Sequence, residues 1–181
     1  MIQSNNNLPL IVQIVGYKNT GKTTMVCRLT TYFKEASYRV GTIKRDAHDF
    51  QMDKPGTDTW LHQEAGAHIT AISSSKRTAI LKQNPDTLEQ LISAMQGDVD
   101  VILIEGFKEA SYPKIIMARN TSDLELLKTL LNPIALAYWP ELIPSNNQIT
   151  KEGDIQDTIP HLPIADHDQI YQIILKNQST N

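Results

Sequence analysis

At 181 residues, 40% hydrophobic and 20% charged, the chain fits one compact domain spanning 1–181 with a sizeable core, and its composition is neither disordered nor fibrous. A formal net charge of -3 with no Lys/Arg run offers no basic field to a nucleic-acid backbone, so small molecules or proteins are the expected partners. The start MIQSNNNLPL has no basic segment leading into an apolar run, and no apolar stretch approaches bilayer-spanning length. The expected compartment is therefore the cytoplasm, with no membrane partner.

Leu10 to Val15 is a short apolar run ending at Gly16, and helical spacing follows at Met25, Val26, Leu29 and Phe33, which predicts strand, loop and helix. The single cysteine, Cys27, cannot form an internal disulfide and reads as a buried packing residue of that helix. Tyr38 to Ile43 predicts a second strand, and the polar stretch Lys44 to Pro55 after it, with three acids and a histidine, a loop of the kind that covers a binding site. Thr57 to Ala65, ended by Gly66, predicts a short helix. His68 to Ser73 and Arg77 to Leu81 predict a hairpin turning at Ser74-Ser75-Lys76. Asp86 and Glu89 have capping-box spacing ahead of Leu88, Leu91, Ile92 and Met95, with Gly97 as the stop.

Val101 to Ile104 is a continuous apolar run, the pattern of a strand buried on both faces, and Glu105-Gly106 follows it directly. Lys114 to Ala118 and Pro133 to Tyr138 predict strands around a helix near Asp123 to Leu131, and Ile170, Ile173 and Ile174 mark a terminal helix. Such alternation indicates an α/β fold. Ser145 to Pro160 is polar and gives no pattern, and there is no internal repeat.

Gly16-Tyr17-Lys18-Asn19-Thr20-Gly21-Lys22-Thr23 fits G-x-x-x-x-G-K-[ST] at every fixed position, between a predicted strand and a predicted helix. The residue types match phosphate chemistry. Glycines let the backbone wrap an anion, Lys22 reaches the β and γ phosphates, the Thr23 hydroxyl ligates magnesium, and Thr24 is placed for the α phosphate. A triphosphate site also needs a carboxylate near the metal, and Glu105, at the end of an apolar strand, supplies one; an exposed loop glutamate is the alternative. Asp46, His48, Asp49, Asp53 and Asp58 crowd the region after the second strand. Each alone reads as solvated surface, whereas together they form an acidic loop able to respond to a γ phosphate and its magnesium.

With these motifs the chain resembles the molybdopterin-guanine dinucleotide biosynthesis protein B family, MobB, over most of residues 10 to 120. The resemblance rests on VGYKNTGKTT, HDFQMDKPGTDT, EAGA and VILIEGFK followed by PKIIMAR. It implies a three-layer P-loop NTPase fold of the SIMIBI type, mostly parallel with a β-hairpin extension. It also implies GTP and magnesium binding with weak GTPase activity, and a homodimer that assists the MobA-like guanylyltransferase attaching GMP to molybdopterin. Carried over residue by residue, Gly16, Gly21, Lys22, Thr23 and Thr24 match the phosphate loop, and Asp53, Asp58 and Glu105 match the acidic site positions; Lys18, Asn19 and Thr20, between the fixed loop positions, are candidate nucleotide-binding residues with them, as are Asp53 and Asp58. Thr23, Asp53 and Glu105 are thereby candidate metal ligands, and Lys22 and Glu105 candidate catalytic groups. His48, Asp49, Gly106, Lys108 and Lys114 also match motif positions.

The chain departs from the family pattern at Thr57, where a lysine is frequent, and at Arg45, where a histidine is. Beyond Arg119 the resemblance fades, and no N-K-x-D element reads a guanine base; the late strand ends in Ala137-Tyr138-Trp139-Pro140. The competing readings are an ATP-dependent small-molecule kinase and a nucleotide-sensing adaptor with negligible turnover. A chaperone for another metal ranks last, since five scattered histidines and one cysteine make no metal tract. For Trp60, Tyr138 and Trp139, core packing is favoured over a role as interface anchors.

Overall fold

The computed structural model describes residues 8–46, 50–142 and 159–178. Contacts divide the chain into two compact units, Met1–Arg45 with Ile92–Asn181, and Asp46–Leu91.

The first unit carries strands β1 (Leu10–Gly16), β2 (Val40–Lys44), β5 (Val101–Glu105), β6 (Lys114–Ala118), β7 (Pro133–Tyr138) and β8 (His161–Pro163). Its helices are α1 (Lys22–Glu35), α4 (Leu126–Thr129) and α5 (His167–Gln178). The strands form one parallel sheet in the order β2-β5-β1-β6-β7-β8. β5 and β6 are buried at every position, as central parallel strands must be when helices cover both faces.

Successive residues of each strand face opposite sides. On one side Val12, Ile14, Val101, Leu103, Ile115 and Met117 pack with Met25, Leu29 and Phe33 of α1 and Ile170 and Ile174 of α5. On the other, Val15, Ile116, Ala118 and Leu136 pack with Leu126 and Leu127 of α4. The α/β, P-loop NTPase-like architecture of three layers expected from the sequence is the one observed.

The second unit holds α2 (Asp58–Glu64) and the antiparallel hairpin of β3 (Ile69–Ser73) and β4 (Thr78–Lys82). Ser74 closes the turn, its Oγ accepting the Lys76 and Arg77 amides. The boundary between the units falls within α3 (Leu88–Met95).

Four expectations change. The capping box sits one residue later than predicted. The Thr87 amide donates to Gln90 Oε1 at 2.8 Å and the Gln90 amide to Thr87 Oγ1 at 3.3 Å, while Asp86 pairs with Lys82 at 2.6 Å. A threonine directly before Leu88 reaches the first-turn amides, and Asp86 has a cation from β4 at hand. The helix near Asp123 to Leu131 is reduced to a 3-10 turn, Thr121–Glu125, followed by the single turn of α4. Cys27 is exposed, because Met25, Val26, Leu29 and Phe33 define the buried face of α1 and position 27 lies off it. Finally, β8 is a strand where no pattern was read, three residues that pair with Leu136 to Tyr138 of β7. Among the described residues, no helix is long and apolar enough to cross a membrane.

Candidate functional site

The motif Gly16 to Thr23 occupies the turn between the C-terminal end of β1 and the start of α1. Gly16 is required by close approach, since a Cβ there would lie 2.7 Å from both the Met117 carbonyl oxygen and Thr20 Oγ1. Gly21, at φ 91, is the N-cap of α1 in the left-handed region that glycine adopts without strain. No side chain caps this end, and no acidic residue lies in its first turn. The unpaired amides and the positive end of the helix dipole there favour an anion. Lys18 and Asn19 lie exposed on the loop, Asn19 at φ 64, whereas Thr20 is buried and donates its hydroxyl to the Tyr17 carbonyl at 2.9 Å.

Glu105 ends β5 level with Ile14 of β1, so strand pairing brings it beside the loop. It is 8% exposed, and its Oε1 accepts the Thr23 hydroxyl at 2.8 Å and faces Lys44 Nζ at 3.7 Å. The carboxylate, expected just past the strand, is its last residue and keeps polar partners, which burial of a charge demands. Lys22 Nζ donates to the Tyr17 carbonyl at 2.5 Å. Burial lowers the Lys22 pKa from its usual value; Glu105 opposes that shift, and Lys108 and Lys44 add to it. Lys22 thus has two further lysines, Lys44 and Lys108, and one carboxylate, Glu105, acting on it. Thr24 is exposed in the first turn of α1.

Gly16, Lys18, Asn19, Thr20, Gly21, Lys22, Thr23, Thr24 and Glu105 thus belong to one site in the first unit. Asp53 and Asp58 belong to the second unit and have local roles there. Asp53 accepts the Lys54 amide at 2.9 Å, the Thr57 hydroxyl at 2.8 Å and Gln63 Nε2 at 3.2 Å. The Thr59 and Thr57 hydroxyls are the main causes holding its carboxyl below the ordinary aspartate value. Thr57 is therefore a donor to Asp53. Asp58 lies exposed in the first turn of α2, where a negative charge suits the helix dipole. His48 and Asp49 lie outside the described residues. Among those described, no three His, Cys, Asp or Glu side chains cluster as a metal site would.

Several further residues shape the loop or its surroundings in ways the sequence did not assign. Trp139, just past β7, donates its indole N–H to the Thr20 carbonyl at 2.9 Å. Arg119, just past β6, lies 4.9 Å from the Trp139 ring centroid, with Nη1 3.5 Å from the Asn19 carbonyl. Lys108 Nζ sits 4.0 Å above the Tyr17 ring centroid. Gln13, fully buried in β1, donates to the Gly106 and Phe107 carbonyls at 3.1 and 2.7 Å and fixes the turn that follows Glu105. Lys114 is also fully buried, its Nζ on the Ala110 and Leu131 carbonyls at 2.6 and 2.7 Å, so it ties loops together rather than facing the site.

Comparison with known proteins bears on these motifs. The family profile described as molybdopterin guanine dinucleotide synthesis protein B, MobB, matches residues 11–139. The molybdopterin-guanine dinucleotide biosynthesis adapter protein of Haemophilus influenzae is 36% identical over 164 residues, covering 88% of this chain and 92% of that one. A probable adapter protein of the same name from Bacillus subtilis is 36% identical over 131 residues, 71% of this chain and 75% of its own. The crystal structure of Bacillus subtilis MobB superposes with a TM-score of 0.70 at 29% identity, covering 92% of this chain and 96% of that chain. A profile that spans the loop, Glu105 and Trp139 together, with relatives matched over most of their length, settles the lineage: the chain belongs to the MobB family.

Proposed function

We propose that the chain binds a magnesium nucleoside triphosphate, GTP by preference, on the Gly16 to Thr24 loop and acts as an adapter in molybdopterin guanine dinucleotide biosynthesis. The observation that carries the reading is the Thr23 Oγ1 to Glu105 Oε1 contact of 2.8 Å beside an uncapped helix N-terminus. It sets a hydroxyl and a carboxylate together next to amides suited to phosphate. The adapter role follows the names of the relatives.

In this reading the loop amides and Lys22 hold the phosphate chain, with Lys18, Asn19, Thr20 and Thr24 lining it. Thr23 and Glu105 offer hard oxygen donors of the kind Mg2+ takes, and their adjacency fits that ion. Bound magnesium would neutralise phosphate charge. Glu105 orients a water for slow hydrolysis, and Lys22 stabilises charge on the phosphates. Asp53 organises its own loop through the Lys54 amide and the Thr57 hydroxyl, and Asp58 stands in the first turn of α2. The working assembly is a homodimer in the cytoplasm, and its partner is the MobA-like guanylyltransferase that joins GMP to molybdopterin.

Competitive titration with GTP and ATP, with and without Mg2+, tests the reading, using Lys22→Ala as control. The expected result is a magnesium-dependent preference for GTP that Lys22→Ala abolishes. A preference for ATP would overturn the guanine assignment. Sedimentation of the chain alone and with the guanylyltransferase tests the assembly.

A further inference from the structure

Three carbonyls of the loop accept side-chain donors. That of Tyr17 accepts Thr20 Oγ1 and Lys22 Nζ, at 2.9 and 2.5 Å. That of Asn19 accepts Arg119 Nη1 at 3.5 Å, and that of Thr20 accepts Trp139 Nε1 at 2.9 Å. A planar trans peptide points its N–H opposite to the preceding C=O. The amides of Lys18, Thr20 and Gly21 are therefore turned away from these donors. The Tyr17 contacts are internal to the loop, whereas the other two donors reach it from the C-terminal ends of β6 and β7. They brace each other, with the Arg119 guanidinium 4.9 Å from the Trp139 ring centroid. The indole also closes the space at Gly21, where an added Cβ would meet Trp139 Cζ2 at 3.4 Å and Ile164 Cδ1 at 3.1 Å.

We propose that Trp139, braced by Arg119, is a positioning residue for the phosphate loop: it pins the Thr20 carbonyl outward and so keeps the Gly21 amide aimed at a bound anion. The inference rests on the reading of the loop as a triphosphate site. Its distinguishing consequence is that the clamp acts on phosphate affinity irrespective of the base. Inorganic tripolyphosphate and GTP should lose affinity by a common factor when the indole N–H is removed, while a base-stacking Trp139 would affect GTP alone.

The full chain with Trp60→Phe leaves Trp139 as the one indole of its two tryptophans. Titration of this protein with GTP and with tripolyphosphate, each with Mg2+, is read by calorimetry and by indole emission. Emission should shift with both ligands. Adding Trp139→Phe should weaken both by the same factor, about twofold to tenfold, the range of one hydrogen bond. A loss confined to GTP, or unchanged affinity for both, overturns the inference. Thermal unfolding checks the fold of the variant. Should Trp139→Phe not fold, Arg119→Met at an exposed position carries the same test, with a smaller but equal loss expected for both ligands and no change overturning the proposal. Absence of binding by the native chain overturns the triphosphate reading and this inference with it, whereas undiminished binding by the variants overturns this inference alone.

Discussion

β5 and β3 are both five-residue strands rich in aliphatic side chains, VILIE and ITAIS, yet they finish in opposite environments. β5 is buried at every position, while β3 buries Thr70 and leaves the others exposed, Ile69 by 60% and Ile72 by 52%. The difference lies in their partners. β5 pairs with β1 on one side and β2 on the other, with packed side chains on its faces; β3 pairs with β4 alone. A two-stranded ribbon has no second layer of its own and is marginal in water. The candidate residues follow the same division: the loop and Glu105 rest on the sheet of the first unit, and Asp53 and Asp58 lie in the second.

The largest effect that could break this comparison is in the sheet. Leu103→Ala should destabilise the chain by about 2 to 5 kcal/mol in urea unfolding, through lost burial and the cavity left behind. Next comes Asp123, 3% exposed, whose Oδ2 accepts the Arg119 and Asn120 amides at 2.7 and 3.2 Å. Asp123→Ala should cost about 1 to 3 kcal/mol by leaving those amides without a partner, and should loosen Arg119 as well. Native-state hydrogen exchange sharpens both, since β5 and β6 amides should open only with global unfolding and those of β3 and β4 by local opening.

Smaller effects belong to the second unit. The Asp53 carboxyl is depressed below its ordinary 3.8, so its contribution to stability is fully present above that pH and is lost as pH falls through the lowered value. Thr57→Val removes a donor and should move the Asp53 titration upward in a carbon-detected NMR titration; an unmoved value would remove Thr57 from the cause. The smallest change is Ile80→Ser on the exposed side of β4, 60% exposed, which should stay within about 0.5 kcal/mol. A loss as large as that of Leu103→Ala would show Ile80 to be covered in solution.

Much of the fold was legible, for reasons specific to each element. β1, the loop and α1 are contiguous, and their residue types answer local demands: an apolar run, glycines at Gly16 and Gly21, and buried positions at helical spacing. The run Val101 to Ile104 announced a doubly buried strand by having no polar alternate. Less legible were the helix end at Thr87, where two neighbouring residues both suit a cap, and β8, whose three residues are too few to show a period. Glu105 was found from its position after an apolar strand, but its hydroxyl partner Thr23 lies 82 residues away.

The sequence by itself determined the chemistry of the loop, the α/β alternation and the likeness that leads to the MobB family, because these reside in residue types at fixed short spacing. Only the tertiary structure decided that Trp139 bonds Thr20 across 119 residues, that Gln13 holds the turn after Glu105, that Lys114 is wholly buried on two carbonyls and that Cys27 faces outward. The physical reason is the order in which the strands pair. It sets the C-terminal ends of β6, β7 and β8 beside the loop that follows β1, and a linear sequence carries no local mark of which strand ends will meet.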